Sequence, residues 1–135
     1  VISRVAKEVP VARAHEAIFG YTLADNITAT GVDSARAQLF DGSLPLGPVI
    51  VTDLEAATCA ISLAFDGKEV GRRSTADLTY SAAELVAYAS TICTLLPGDI
   101  ILTGAAVKVS GGRPGELVQI SAGGIGSMAH RALAA

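Results

Sequence analysis

The sequence of 135 residues contains no Trp and only three Phe and three Tyr, so aromatic rings cannot fill its interior. Half of the residues are nevertheless hydrophobic, and they are mostly Ala, Val, Ile and Leu. A core of small, branched side chains is expected. Cysteine is scarce. Cys59 and Cys93 allow one disulfide at most and no disulfide framework. Both lie in apolar patterns, which predicts buried free thiols and a reducing, cytoplasmic setting. Positive charge is not in excess. The net charge is −3 and the sequence pI is near 5.2, which argues against the clustered Lys and Arg of a nucleic-acid-binding surface. No apolar run approaches the roughly 20 residues that span a bilayer. No charged segment followed by an apolar one opens the chain, so neither a membrane partner nor a secretion signal is expected. The chain begins without Met on Val1-Ile2-Ser3-Arg4, which reads as the end of a strand. Residues preceding Val1 are expected to be missing, removed or carried by another chain.

What is present is a series of short strands with one or two helices. The chain is organised around residues 95–104. Pro97-Gly98-Asp99 reads as a tight turn, Ile100-Ile101-Leu102 as a strand buried on both faces, and Thr103-Gly104 as the turn where it surfaces. Upstream, Pro10 suits a first helical turn, and Val11, Ala14 and Ile18 give residues 10–19 an apolar helical stripe ended by Gly20. Residues 21–24 and 49–52 read as short strands, and 33–38 as a helical turn with Asp33 or Ser34 near its N-cap. Asp66-Gly67 between residues 59–65 and 68–74 is the strongest hairpin signal in the chain. Ser81 and Glu84 form a capping box, after which Leu85, Tyr88, Ala89 and Ile92 line one helix face. Residues 107–109, 117–120 and 127–133 read as further strand-like segments. Gly123-Gly124-Ile125-Gly126 lacks the third glycine and the following helix of a dinucleotide loop, so a turn or bulge is expected.

Few residues carry chemistry on their own. Asp25-Asn26, in a loop after an apolar segment, can place a hard oxygen ligand on Mg²⁺ or Ca²⁺ or form an Asx turn. His15 and His130 lack metal-ligand spacing, and both are expected at the surface. Cys93 is read as a mid-helix core residue rather than a nucleophile. Arg72-Arg73 can grip a substrate carboxylate as a fork or serve as solvated charge on a strand edge.

Five motifs in order are more specific than any one alone. They are Gly20-Tyr21-Thr22-Leu23-Ala24, Phe40-Asp41-Gly42 with Pro45-Leu46-Gly47-Pro48, Ser81-Ala82-Ala83-Glu84-Leu85-Val86, the run from Leu96 to Gly104, and Gly124-Ile125-Gly126. Together they resemble the fumarylacetoacetate hydrolase family, in the C-terminal part of its catalytic domain, over nearly all of the chain. The resemblance implies a single domain over residues 1–135. Its fold would be β-rich α+β, a mixed β-sandwich or β-roll incomplete at the N-terminus. It also implies a homodimer or a complex with a chain carrying the N-terminal half.

The chemistry implied is that of a hydrolase or lyase acting on a 2-oxo acid or 1,3-dicarbonyl compound by C–C cleavage, decarboxylation, hydration or isomerisation. Mg²⁺ or another divalent cation would act as a Lewis acid. Carried over by position, the metal residues are Asn26, where the family has Asp, and its neighbour Asp25. Gln38 stands at the family's Lys and, with Thr103, is the catalytic candidate. Tyr21, Arg72, Thr103 and Gly104 are the substrate-binding candidates. Thr30 replaces an Arg, and Ala105-Ala106 replaces Thr-Pro. The family's Glu-x-Glu metal pair and His-Glu dyad lie upstream of Val1. The alternative implied is a catalytically degenerate member serving binding or assembly.

Overall fold

The computed structural model describes residues 1–110 and 112–132. Its centre is an antiparallel sheet of four strands in the order β2-β1-β3-β4. Strands β1 (Ala60–Phe65) and β2 (Lys68–Ser74) are joined by Asp66 and Gly67, whose φ angles of 48° and 81° are the left-handed pair that a two-residue hairpin turn requires. Strand β3 (Leu117–Ala122) pairs with the other edge of β1 and turns at residues 123–125 into β4 (Gly126–Arg131). Val118, Ile120 and Ala122 are buried in alternation along β3, as expected of a strand with one covered face. They pack with Leu23, Leu63 and Met128 into the sheet cluster. Leu133, predicted to extend the last strand, lies outside the described residues.

The second buried cluster is helical. Helix α1 (Val11–Ala14) continues as one 3-10 turn, His15–Ala17, so the predicted helix over residues 10–19 is shorter than expected. Helix α2 (Ala82–Ile92) starts with the predicted capping box: Glu84 N–H donates to Ser81 Oγ, and Ser81 N–H donates to Glu84 Oε2 at 2.7 Å. The face of α2 differs from the expectation. Tyr88 and Ile92 are 66% and 67% exposed, whereas Val86, Ala87 and Ser90 are buried. Small residues let α2 approach Ala14 and Ala17 closely. Ser90 is tolerated inside because its hydroxyl accepts from Val9 N–H and donates to the Ala87 carbonyl. Cys59 is buried and free as expected. Cys93 is free but exposed, since α2 ends at Ile92 and Cys93 forms its C-cap.

Residues 95–104 are also rearranged relative to expectation. Gly98 turns with φ 91°, and Leu95 pairs with Ala6. Residues 100–102 form no strand. Ile101 alone packs against the helical cluster, while Ile100 and Leu102 are exposed. In an extended segment covered on one side, only alternate residues reach a core. Residues 107–109 likewise form no strand.

Residues 21–27 run antiparallel to 43–51 through separate backbone bonds. Tyr21 and Val51 exchange two at 2.9 Å, Gly47 N–H donates to the Leu23 carbonyl, Asp25 N–H to Pro45, and Ile27 N–H to Ser43. This narrow ladder follows directly on Ile18, which packs on the helical cluster, and its own Leu23 belongs to the sheet cluster. Among the described residues, no helix is long and apolar enough to cross a membrane.

Candidate functional site

The ladder at residues 21–27 carries three of the predicted site residues. Tyr21, at its start, lines a small cleft of about 30 Å³ together with Ile2, Ile18, Val86, Ile101 and Thr103. That is room for one or two water-sized groups. Tyr21 and Thr103, predicted from separate motifs, are therefore brought together. Burial pushes the Tyr21 phenol up from its ordinary pKa, and the nearby Glu55 carboxylate adds to the shift. Around neutral pH the phenol is a proton-bearing hydrogen-bond donor. The other lining residues, among them Ile2, Ile18, Val86 and Ile101, are apolar.

Farther along the ladder, alternation sorts Asp25 from Asn26. Leu23 and Asp25 share the face toward the sheet, and Asn26 is exposed. On β4, Met128 and His130 share a face by the same rule. Leu23 and Met128 meet in the sheet cluster. Two residues further on each segment, His130 Nε2 lies 2.9 Å from Asp25 Oδ2, with side chains 17% and 25% exposed. The imidazole donates through Nε2–H to the carboxylate. The expectation of a surface role holds for His15, which is exposed, and fails for His130. Sequence reasoning missed this pair because its members are 105 residues apart. The available signal was the matched alternation Leu23/Asp25 and Met128/His130, which is readable only once residues 20–25 are known to pack on the last strand.

The other predicted residues stand apart. Gln38 is exposed and donates from Nε2 to Thr28 Oγ1 at 3.1 Å, bridging two arms of one loop. Asp33 Oδ1 accepts from Ala35 and Arg36 N–H, which makes the predicted helical turn. Gly104 has φ 101° and gives the backbone its turn after exposed Thr103. Arg72 lines an open groove of about 570 Å³ with Arg73, Asp77, Ala105, Ala106 and Lys108. Its guanidinium fork is filled by Glu69, with Nε 3.2 Å from Oε1 and Nη2 2.6 Å from Oε2. The hydrogen bond to Glu69 raises the Arg72 pKa, and the charge of Glu69 adds to it.

These residues do not by themselves fit a divalent cation. Among the described residues, no three His, Cys, Asp or Glu side chains converge as a metal-binding group. The loop's carboxylate is engaged by His130, and exposed Asn26 offers a neutral oxygen, whereas Mg²⁺ and Ca²⁺ draw on several oxygens with carboxylates among them.

The antiparallel four-stranded sheet and the capped helix packed beside it define a small α+β fold. The chain belongs to the fumarylacetoacetate (FAA) hydrolase family, whose C-terminal domain is matched by residues 1–132. The 5-carboxymethyl-2-hydroxymuconate delta-isomerase from Mycobacterium smegmatis superposes with a TM-score of 0.92 at 37% identity, over 98% of this chain and 55% of that one. Maleylpyruvate hydrolase from Sphingobium sp. SYK-6, in complex with manganese(II) ion and pyruvate, gives 0.89 at 27% identity, over 98% of this chain and 51% of that one. Protein Rv2993c of Mycobacterium tuberculosis is 34% identical over 138 residues, which is 96% of this chain and 52% of the relative. The chain spans about half the length of the curated relatives it matches.

Proposed function

We propose that this chain is the C-terminal part of an enzyme that acts on a 2-oxo acid or 1,3-dicarbonyl compound. The reaction would be C–C cleavage, decarboxylation, hydration or isomerisation. The observation that carries this reading is that Tyr21 and Thr103, from separate motifs, line one small cleft. A phenol kept protonated by burial donates to a substrate carbonyl or carboxylate oxygen. Thr103, followed by the Gly104 turn, supplies a second donor from the opposite segment. Arg72 is a weaker contributor, since Glu69 would have to release its fork.

The solved relative holding manganese and pyruvate supports a divalent cation and an oxo-acid ligand for the complete protein. Mg²⁺ is one candidate ion. The carboxylates that complete such a site would come from a segment outside this chain or from a companion chain, and Asn26 would be this chain's contribution. A homodimer, a single domain over residues 1–135 and a cytoplasmic location belong to the same proposal.

Calorimetry on the complete protein tests this reading, with oxalate as a metal-chelating substrate mimic in the presence of Mn²⁺. Oxalate is expected to bind, and Tyr21→Phe is expected to weaken it about tenfold through loss of one hydrogen bond to a charged ligand. Absence of oxalate binding with either Mn²⁺ or Mg²⁺ would overturn the enzyme reading in favour of a binding or assembly subunit.

A further inference from the structure

We propose that the free edge of β2 and the basic groove beside it form a docking site for an extended, acidic peptide segment of a partner protein. Such a segment would add one strand to the sheet and meet positive charge as it does so. The backbone supplies the first half of the site. β2 is an edge strand, paired with β1 on one side only. From Gly71 to Ser74 its register with β1 is regular. Bonded and non-bonded pairs alternate along an antiparallel ladder. Thr75 N–H donates to the Cys59 carbonyl, so the pair Ile61–Arg73, two residues on, is a bonded one. Ser74 and Arg72 therefore turn their backbone groups away from β1. Asp77 Oδ2 accepts the Ser74 N–H at 3.3 Å. Among the described residues, nothing takes the backbone N–H or carbonyl of Arg72. An unbonded edge of this kind is a template for strand addition.

The groove supplies the second half. It holds about 570 Å³, and residues 105–109 form its wall opposite β2. A Cβ on Gly71 would stand 2.5 Å from Val107 Cγ1, so glycine is what lets this wall seat against the strand. Val107 also packs on the sheet cluster, which anchors the wall. Charge selects the occupant. Arg72, Arg73 and Lys108 line the groove with one carboxylate, that of Asp77. Glu69 neutralises Arg72, whereas Arg73 and Lys108 enter no ion pair among the described residues. In a chain of net charge −3 this is a local excess of positive charge. A second copy of the same edge, paired about Arg72, would set like charges opposite each other, which destabilises a strand pair. No aromatic ring lines the groove, so it offers no platform on which a nucleic-acid base stacks. An acidic strand meets opposite charge, and Val70, Leu78 and Val109 suit apolar side chains in alternation with the acidic ones.

The test uses the complete protein and a fluorescein-labelled pentapeptide that alternates Glu and Val, followed by fluorescence anisotropy. The peptide is expected to bind. Arg73→Gln and Lys108→Gln, both at exposed positions, are each expected to weaken it about tenfold through loss of one charge-assisted contact, with Tm unchanged. Two altered peptides test the site without altering the protein. Methylation of the central amide nitrogen keeps the charge but removes a backbone donor, and is expected to weaken binding about tenfold. Replacement of every Glu by Gln is expected to abolish binding.

Equal binding of the methylated peptide would overturn the strand pairing, and equal binding of the Gln peptide would overturn the charge selection. No binding to the complete protein would overturn a partner peptide as the occupant. Sedimentation velocity would then assign the edge to a second copy if the protein self-associates with rising concentration, and to the protein's own further residues if it does not. Oxalate binding at the Tyr21–Thr103 cleft is measured separately, so failure of the docking site and failure of the proposed function are distinguishable.

Discussion

Gly20 shows how a single position fixes the distance between two segments. A Cβ there would stand 2.6 Å from the Val51 carbonyl oxygen and 2.8 Å from Ile50 Cγ2. Only a residue without Cβ lets Tyr21 exchange its two backbone bonds with Val51. Gly20→Ala should therefore destabilise the protein by about 1–3 kcal/mol, the range for overpacking, and should displace Tyr21 from the cleft it shares with Thr103. Urea denaturation checks the first outcome, and loss of oxalate affinity checks the second. An unchanged midpoint would mean that the two segments separate at no cost. The same scale shows what was legible in the sequence. Asp66-Gly67 was readable because its turn chemistry is local: both residues take left-handed φ, and Asp66 Oδ1 also accepts from Leu117 N–H at 3.0 Å. His130 was not readable, because what buries it is a carboxylate brought from the far end of the chain.

At the scale of elements, α2 was legible at its start and not along its length. Ser81 and Glu84 satisfy each other within one turn, a local arrangement that any tertiary context preserves. Which face is buried depends on what packs against it, and here Ala14 and Ala17 favour the small-residue side over the stripe with Tyr88 and Ile92. The capping box makes a pH prediction. Hydrogen bonds from the Ser81 backbone N–H, and secondarily from its hydroxyl, hold the Glu84 carboxyl below its ordinary pKa. A carboxyl with a depressed folded-state pKa stabilises above its unfolded value and loses that contribution as pH falls through the folded one. The Tm advantage of the natural protein over Glu84→Gln should be full at neutral pH and shrink below about pH 4. Circular-dichroism melts across pH read this directly. An advantage that persists unchanged at acidic pH would show that the carboxylate charge plays no part. Residues 100–102 make the complementary point. A continuous apolar run is read as burial on both faces, yet here Ile101 alone reaches a core.

For the whole molecule, aromatics are scarce, and of the Phe residues Phe65 packs against the sheet cluster. The interior is divided into a helical cluster around Val86, Ala14 and Leu95 and a sheet cluster around Leu63, Ile120 and Met128. The ladder of residues 21–27 against 43–51 links them. Its backbone bonds are few, and the segment 43–51 is largely exposed. Local openings are expected where buried apolar contact is sparse. Leu63→Ala should cost about 2–5 kcal/mol, as for other buried Leu truncations. The loss should fall unevenly on native-state hydrogen exchange. Amides of β1, β3 and β4 would lose protection, while those of α2 would keep most of theirs, because the link transmits only part of the sheet's instability. The Tyr21–Thr103 cleft lies on the helical side, and the Asp25–His130 pair on the sheet side. The candidate site therefore straddles the joint, and its geometry should be the first to loosen when either cluster is weakened. An equal loss of protection in α2 and in the sheet would show that the two clusters open as one cooperative unit and would remove the basis for this division.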